Sequence, residues 1–310
     1  MARSIPTQAT VLPAQRMAPA VTARPGLIGL CVALFKLRIG FAIALSGLAG
    51  MVLALGQWPA LADMLLMGLA LLIAAGGAGA FNHYYDRDID AVMGRTSKRP
   101  FASGQLTPSA VWPLAFFIQM IAGAALASWL FGMLSGVFVL AGALTYALVY
   151  TAWLKRRSHW NIVIGGAAGS WAVLAGAAAG GSILTTEIVL LTLILFLWTP
   201  SHFWSLSVAI ADDYRRAGVP MLPVTLGVTT AARWNLYNSV ILIAASLALA
   251  VVSGQAVVWI GVLAGCGWLA WTTLQMVADP NRSRAMRAFK ASLIQLGLLL
   301  LALFAAAAWP

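Results

Sequence analysis

Charge is what this 310-residue chain lacks: Lys, Arg, Asp and Glu make up 9% of it, against roughly 25% in a soluble domain. Acids are scarcest, 8 against 19 basic residues, and there are 3 histidines and 2 cysteines. Too little charge to clothe a wet exterior excludes a soluble enzyme, a disordered chain and a nucleic-acid-binding domain. Cys31 and Cys266 sit in apolar stretches with no CxxC spacing and no His nearby. That argues for small core side chains and against a disulfide or metal site. What is abundant is apolar: 62% of residues are hydrophobic and the mean hydropathy is +0.90. The solvent is lipid.

A bilayer-crossing helix needs about 20 mostly apolar residues. Nine stretches qualify, at about 38–56, 61–80, 110–128, 133–152, 161–180, 186–204, 234–252, 256–276 and 289–308. The expected fold class is an all-α integral membrane protein, one nine-helix membrane domain over 27–310. Residues 1–26 are polar and acid-free and read as a disordered tail. Pro6, Pro13, Pro19 and Pro25 oppose an amphipathic helix, which favours a bacterial tail over a mitochondrial transit peptide. All 19 Lys and Arg fall in that tail, in loops 82–109, 154–160, 205–233 and 278–288, or at adjoining helix starts. Nine crossings put all of these on one side, while the opposite loops carry only Asp63 and Glu187. The positive-inside rule therefore places the N-terminus in the cytoplasm and the C-terminus outside. A bacterial inner membrane is the expected location.

The acids are clustered. Asn82, Asp86 and Asp90 stand at i, i+4 and i+8, so a continuing helix aligns them in one polar stripe. Such oxygens suit a hard cation like Mg²⁺, which takes one or two carboxylates together with substrate phosphates. Arg95, Lys98 and Arg99 follow closely, and Arg forks match phosphate oxygens. A solvated loop with a topological anchor would explain the cations but not their adjacency to acids. Four helices later come Trp198, Pro200, His202 and Trp204, then Asp212, Asp213, Arg215 and Arg216. Two acid-and-arginine loops on one face suggest an internal duplication with a site between the halves. For His202 two readings stand, a haem or substrate contact and a buried ring with a backbone partner. The glycines at 165–181 also have two readings, room for a flat macrocycle and close helix packing.

The NxxxDxxxD stripe in a nine-span frame resembles the UbiA-type intramembrane prenyltransferases. Longer strings, "NHYYDRDIDAVMGRTSKRPFASGQL" (82–106), "YTAWLKRRSHWNIVIGGAAGSWAVLAG" (150–176), "WTPSHFWSLSVAIADDYRRAGVPMLPVTLG" (198–227) and "FKASL" (289–293), resemble the haem-farnesylating branch, the haem O synthases. The resemblance covers about residues 35–305. It implies helices around a central cavity and transfer of farnesyl from farnesyl diphosphate to haem B, with water, giving haem O and diphosphate. It further implies Mg²⁺ on Asn82, Asp86 and Asp90, diphosphate on Arg95, Lys98 and Arg99, and His202 toward haem. Tyr85, Lys155, Trp204, Asp212, Asp213 and Arg216 join as substrate-binding candidates. Implied partners are membrane lipid and haem A synthase or terminal-oxidase assembly factors, with no nucleic acid.

Departures accompany the likeness. Four residues before Asp213 stands Ala209, so a second DxxxD is degenerate, which argues against two metals. "FKLR" (35–38) replaces a Lys-Pro-Arg and is expected to affect only helix entry. Competing readings are a quinone- or chlorophyll-type prenyltransferase, which would not carry "PSHFW" and "GVPMLPV", and a polytopic haem-binding or transport protein, which would favour charge at mid-span. If the stripe faces a cavity, Asp86→Ala should leave the chain folded.

Overall fold

Inside a bilayer no water satisfies the peptide groups, so runs of Leu, Ala, Val and Ile close their hydrogen bonds within helices. The computed structural model describes residues 26–308; the tail expected at 1–26 lies, but for Gly26, outside the described residues. A short α1 (Leu27–Leu34) precedes α2 (Leu37–Leu55) and α3 (Leu61–Tyr85), after which α4 (Arg87–Val92) makes little more than one turn. Then follow α5 (Val111–Phe131), α6 (Met133–Leu144) with a π-helical continuation (Thr145–Leu154), and the pair α7 (Asn161–Gly165) and α8 (Ala167–Ala179). The second half holds α9 (Thr186–Ala209), short α10 (Ala211–Arg216) and α11 (Leu222–Thr225), α12 (Val228–Ser253), α13 (Ala256–Ala278) and α14 (Arg282–Ala308). Among the described residues nine helical segments are long and apolar enough to cross a membrane, and there is no strand.

The expected spans are all present, but four run past their apolar windows. α3 continues to Tyr85, α9 to Ala209, and α12 and α14 begin at Val228 and Arg282. The apolar window measures contact with lipid, whereas the helix runs on as long as its hydrogen bonds do. All four extensions lie on the face of the basic loops, and that of α3 carries Asn82, the first residue of the stripe.

Two cores flank α2. One joins Leu71, Ala74, Phe81, Phe116, Met120 and Val139 of α3, α5 and α6; the other joins Leu191, Leu242, Leu249, Val262, Leu269 and Leu299 of α9, α12, α13 and α14. α2 packs against α3, α8, α9 and α14, tying the halves together. Its crossing with α8 is backbone against backbone. A Cβ on Gly50 would stand 2.2 Å from the Val173 carbonyl oxygen, and one on Gly176 would stand 1.7 Å from that of Gly47. Close packing, not room for a macrocycle, accounts for Gly176.

α9 carries Pro200 in its interior, which removes one ladder donor and disturbs the turn before it. Asn238 Nδ2 donates to the Leu197 carbonyl at 2.6 Å, and Asn235 Nδ2 to that of Ser201 at 3.2 Å. Ser205, Ser239 and the Ser201 hydroxyl complete the network. Polar side chains at membrane depth are satisfied here by a neighbouring helix.

Gly176→Val should therefore separate α8 from α2 and lower the thermal midpoint in detergent by several degrees, overpacking typically costing about 1–3 kcal/mol. Gly169→Ala, whose new Cβ meets only Leu195 at 3.8 Å, should leave it unchanged. Equal midpoints for the two variants would contradict this packing.

Candidate functional site

Asn82 lies in the last turn of α3, Asp86 at the junction of α3 and α4, and Asp90 within α4. The chain does not break there. Asp86 N–H donates to the Asn82 carbonyl at 3.0 Å and Asp90 N–H to the Asp86 carbonyl at 2.8 Å. The i, i+4, i+8 register survives, and the three form the expected stripe. They are buried, Asn82 at 2% exposure and both aspartates at 0%.

Burial forces each carboxylate to find a counter-charge. Lys155, itself 6% exposed, pairs through Nζ with Asp86 Oδ2. Arg99 Nη1 donates to both oxygens of Asp90, at 3.0 and 2.8 Å. Asn82 Nδ2 donates to Asp86 Oδ2 at 2.7 Å and to Thr151 Oγ1 at 3.0 Å. Its Oδ1 accepts from Lys36 Nζ at 2.6 Å, and the same ammonium reaches the Tyr146 hydroxyl at 3.1 Å. Among the described residues, Asp86 Oδ1 is the one buried carboxylate oxygen with no hydrogen-bond donor.

Two backbone irregularities deliver these cations. The π segment ends with Lys155 N–H bonded to the Tyr150 carbonyl at 2.9 Å, an i to i−5 bond, and Thr151 Oγ1 donates to the Tyr146 carbonyl at 2.9 Å. The wider turn stacks Tyr146 on Tyr150, ring centroids 5.4 Å apart, and sets Thr151 and Lys155 on the stripe. Such segments are frequent at functional sites. The other irregularity is Lys36, φ 49° and ψ 44°, between α1 and α2. It is the one described non-glycine residue at positive φ. Lys36, which "FKLR" shares with Lys-Pro-Arg, thus reaches the stripe from the entry of α2.

Around the stripe's outer side, Arg156 grips Asp88 with two bonds of 2.7 Å, donates to the Tyr85 carbonyl at 3.1 Å, and stands 3.7 Å from Asp86 Oδ1. Its guanidinium lies 5.1 Å from the Tyr85 ring centroid, and Tyr85 OH donates to the Ala152 carbonyl at 3.2 Å. The bonds from Arg156 hold the Asp88 carboxyl down to about 2. A cavity of about 310 Å³ opens between Tyr85, Arg87, Asp88 and Arg156.

The remaining candidates divide. Arg95 and Lys98 are exposed, with no side-chain partner among the described residues. Asp212 and Asp213 pair with Arg215 and Arg216 one turn on, and Asp213 Oδ2 would lie 3.7 Å from a Cβ on Gly94, next to the first cluster. Tyr214, Val219 and Met221 pack with Ile89, Met93 and Tyr150, which brings the two loops together as the duplication implied. Trp204 is a correction: at 2% exposure it packs among Val208, Leu222, Ala231, Met276 and Ala288, a core position rather than a wall. His202 is stacked not beside Trp204 but between Trp198 and Phe289, each 4.3 Å away by ring centroids. Its Nδ1 bonds the Ser292 hydroxyl at 2.8 Å. Lys36, Tyr146, Thr151 and Arg156 escaped the sequence reading. Arg156 had a signal, its basic run; Tyr146 and Thr151 had none.

Residues 43–308 match the UbiA prenyltransferase family. The chain belongs to that family. Curated relatives from Paramagnetospirillum magneticum named protoheme IX farnesyltransferase 2 and 1 are 48% and 44% identical, over 86% and 90% of this chain and 93% and 98% of theirs. A similarly named protein from Symbiobacterium thermophilum is 40% identical over 88% of this chain and 92% of its own. Solved UbiA-type folds agree at low identity. A structure described for digeranylgeranylglyceryl phosphate synthase has TM-score 0.73 at 17% identity, covering 90% of this chain and 98% of that one. A UbiA homologue from Archaeoglobus fulgidus, bound to DMAPP and Mg²⁺, has TM-score 0.69 at 17% identity, covering 90% and 99%. In this UbiA-family chain the stripe offers two carboxylates and an amide oxygen, a donor set for a hard divalent cation, with Asp86 Oδ1 open to it. Among the described residues no three His, Cys, Asp or Glu side chains converge as a self-sufficient cage. The set is one that a substrate's own oxygens would complete.

Burial changes what Asp86→Ala does. A cavity-facing side chain would leave the fold intact, but removing Asp86 strands the buried Lys155 ammonium, at a cost of about 3–5 kcal/mol. The expected result is a much lower thermal midpoint for Asp86→Ala in detergent, largely regained in Asp86→Ala/Lys155→Met. Additive losses in the double variant would contradict the pairing.

Proposed function

We propose that this chain moves the farnesyl group of farnesyl diphosphate to a vinyl group of haem B, with addition of water, yielding haem O and diphosphate. The observation that carries the reading is the set of protoheme IX farnesyltransferase relatives at up to 48% identity over nearly their whole length. It is supported by the buried acid–cation stripe of Asn82, Asp86, Asp90, Arg99 and Lys155. The distribution of Lys and Arg supports an inner membrane with the basic loops in the cytoplasm.

The chemistry is charge handling. Cleaving the allylic C–O bond leaves a farnesyl cation and a diphosphate, so the site must stabilise developing negative charge. Mg²⁺ held by Asn82, Asp86 and Asp90 would supply Lewis-acid neutralisation of that leaving group. Arg99 and Lys155, with Arg95 and Lys98 at the rim, take its remaining oxygens, Arg99 by its fork. The stacked Tyr146 and Tyr150 rings offer an apolar wall that keeps water from the farnesyl carbon. The vinyl carbon of haem B attacks that carbon, forming the C–C bond; water adds to the adjacent vinyl carbon and releases a proton. His202, its Nδ1 held by Ser292, keeps Nε2 for an iron or a propionate. Asp212, Asp213 and Arg216 border the same loops, and haem O passes to a haem A synthase or terminal-oxidase assembly.

Purified protein given haem B, farnesyl diphosphate and Mg²⁺ should yield a haem heavier by one farnesyl and one hydroxyl group, read by mass spectrometry. Prenylation of an aromatic quinone precursor, with haem unchanged, would contradict the reading. Arg99→Ala should raise the KM for farnesyl diphosphate at least tenfold, and Arg99→Lys should recover part of it. A wild-type KM in Arg99→Ala would reduce the arginine to an anchor. His202→Phe, which keeps a stacked ring between Trp198 and Phe289, should weaken haem binding or change its Soret band, with farnesyl diphosphate affinity held. Unchanged haem titration would remove His202 from the haem site.

A further inference from the structure

Every side chain that the proposed reading assigns to the metal is already engaged. Asp86 Oδ2 holds Lys155, Asp90 holds Arg99 through both oxygens, and Asn82 Oδ1 holds Lys36. The first two pairs are what buried carboxylates require. The third is not: a neutral amide has no charge to balance, yet Lys36 Nζ comes to it at 2.6 Å, although burial and then the Arg99 and Lys155 charges push the pKa of that amine well down. The chain enters a left-handed conformation, rare outside glycine, to bring it there. Strain of that kind persists where the surroundings impose it, and it clusters at functional positions. Here they do impose it. The aliphatic stem runs along Gly79, where an added Cβ would meet Lys36 Cδ at 3.3 Å. The ammonium is held by the Tyr146 hydroxyl at 3.1 Å and lies 5.4 Å from the Tyr146 ring centroid.

An ammonium on Asn82 Oδ1 and a divalent cation on the same oxygen repel each other. An ammonium beside Asn82 and an incoming diphosphate attract. The geometry points to Lys36 as a further substrate-contacting residue, one that covers the Asn82 oxygen and releases it to the metal by moving onto a diphosphate oxygen. Lys155 makes the parallel exchange at Asp86. This inference rests on the metal and diphosphate platform proposed above. It adds that metal and diphosphate enter together: metal alone meets an oxygen guarded by a cation, and diphosphate alone meets cations already partnered. Each therefore tightens the other by the same factor, as linkage requires.

The test reads binding, not turnover. Mn²⁺ affinity of detergent-purified protein is measured by electron paramagnetic resonance without diphosphate. Retention of radiolabelled inorganic diphosphate is measured with Mn²⁺ and with chelator. The wild type should retain diphosphate at least tenfold more tightly with Mn²⁺. Lys36→Met should bind Mn²⁺ alone at least fivefold more tightly than wild type and show a smaller metal effect on diphosphate; a gain of affinity does not arise from misfolding. Lys36→Arg should stay near wild type. Arg87→Met, which removes a nearby cation bonded to the Tyr84 carbonyl, should change Mn²⁺ affinity less than twofold. Unchanged or weaker Mn²⁺ binding by Lys36→Met, or an equal gain in Arg87→Met, would overturn the role of Lys36 while leaving the platform standing. A wild type that retains neither Mn²⁺ nor diphosphate would overturn the platform itself.

Discussion

The site depends on one buried ion pair, Asp86 with Lys155. Neither member reaches bulk water, and an isolated charge in such surroundings would cost several kcal/mol. A pair of this kind rarely adds stability over an apolar core of equal volume. What it does is set a carboxylate and an ammonium side by side, the two groups that the proposed metal and diphosphate would recruit. Around it, Asp90 with Arg99 and Asn82 with Lys36 repeat the arrangement, so one stripe presents oxygen donors and cations in register.

Much of the fold serves to hold that stripe. α3 and α4 supply its one-turn spacing, and the π segment turns Thr151 and Lys155 onto it. The left-handed turn before α2 brings in Lys36. α2 can tie the two halves together because its glycines let it cross α8 at backbone contact. The loop after α9 reaches the first cluster through Tyr214 and Met221, so residues far apart in sequence share one face.

How much was legible follows from the range of each interaction. The spans, the clustering of basic residues and the Asn82–Asp86–Asp90 stripe are local patterns, readable from hydropathy and a period of 3.6. The joining of two loops was readable from their likeness. Pairings were not, because they are tertiary. Lys36 looked like one more basic residue at a helix entry, and Thr151 and Tyr146 like ordinary span residues, since "TYALVYTAWL" carries no mark of a π turn. Trp204 looked like a cavity wall through its proximity to His202 in sequence. Two residues along a helix is about 200°, however, so the two rings face apart, and Trp198, four residues back, is the one that stacks. Burial of Asp86 was equally invisible, because a carboxylate at a helix end reads as solvated until its partner is known.

The proposed function makes the stripe the diphosphate site, and the role inferred for Lys36 has its cations change partners when that site fills. A cryo-electron microscopy structure with Mn²⁺ and a non-ionising farnesyl thiodiphosphate tests this directly. The expected map has diphosphate between Arg99 and Lys155, its metal on Asn82, Asp86 and Asp90, and Lys36 moved from Asn82 onto a phosphate oxygen. Diphosphate in the cavity beside Arg87 and Arg156, with the Asp86–Lys155 and Asp90–Arg99 pairs intact, would contradict it.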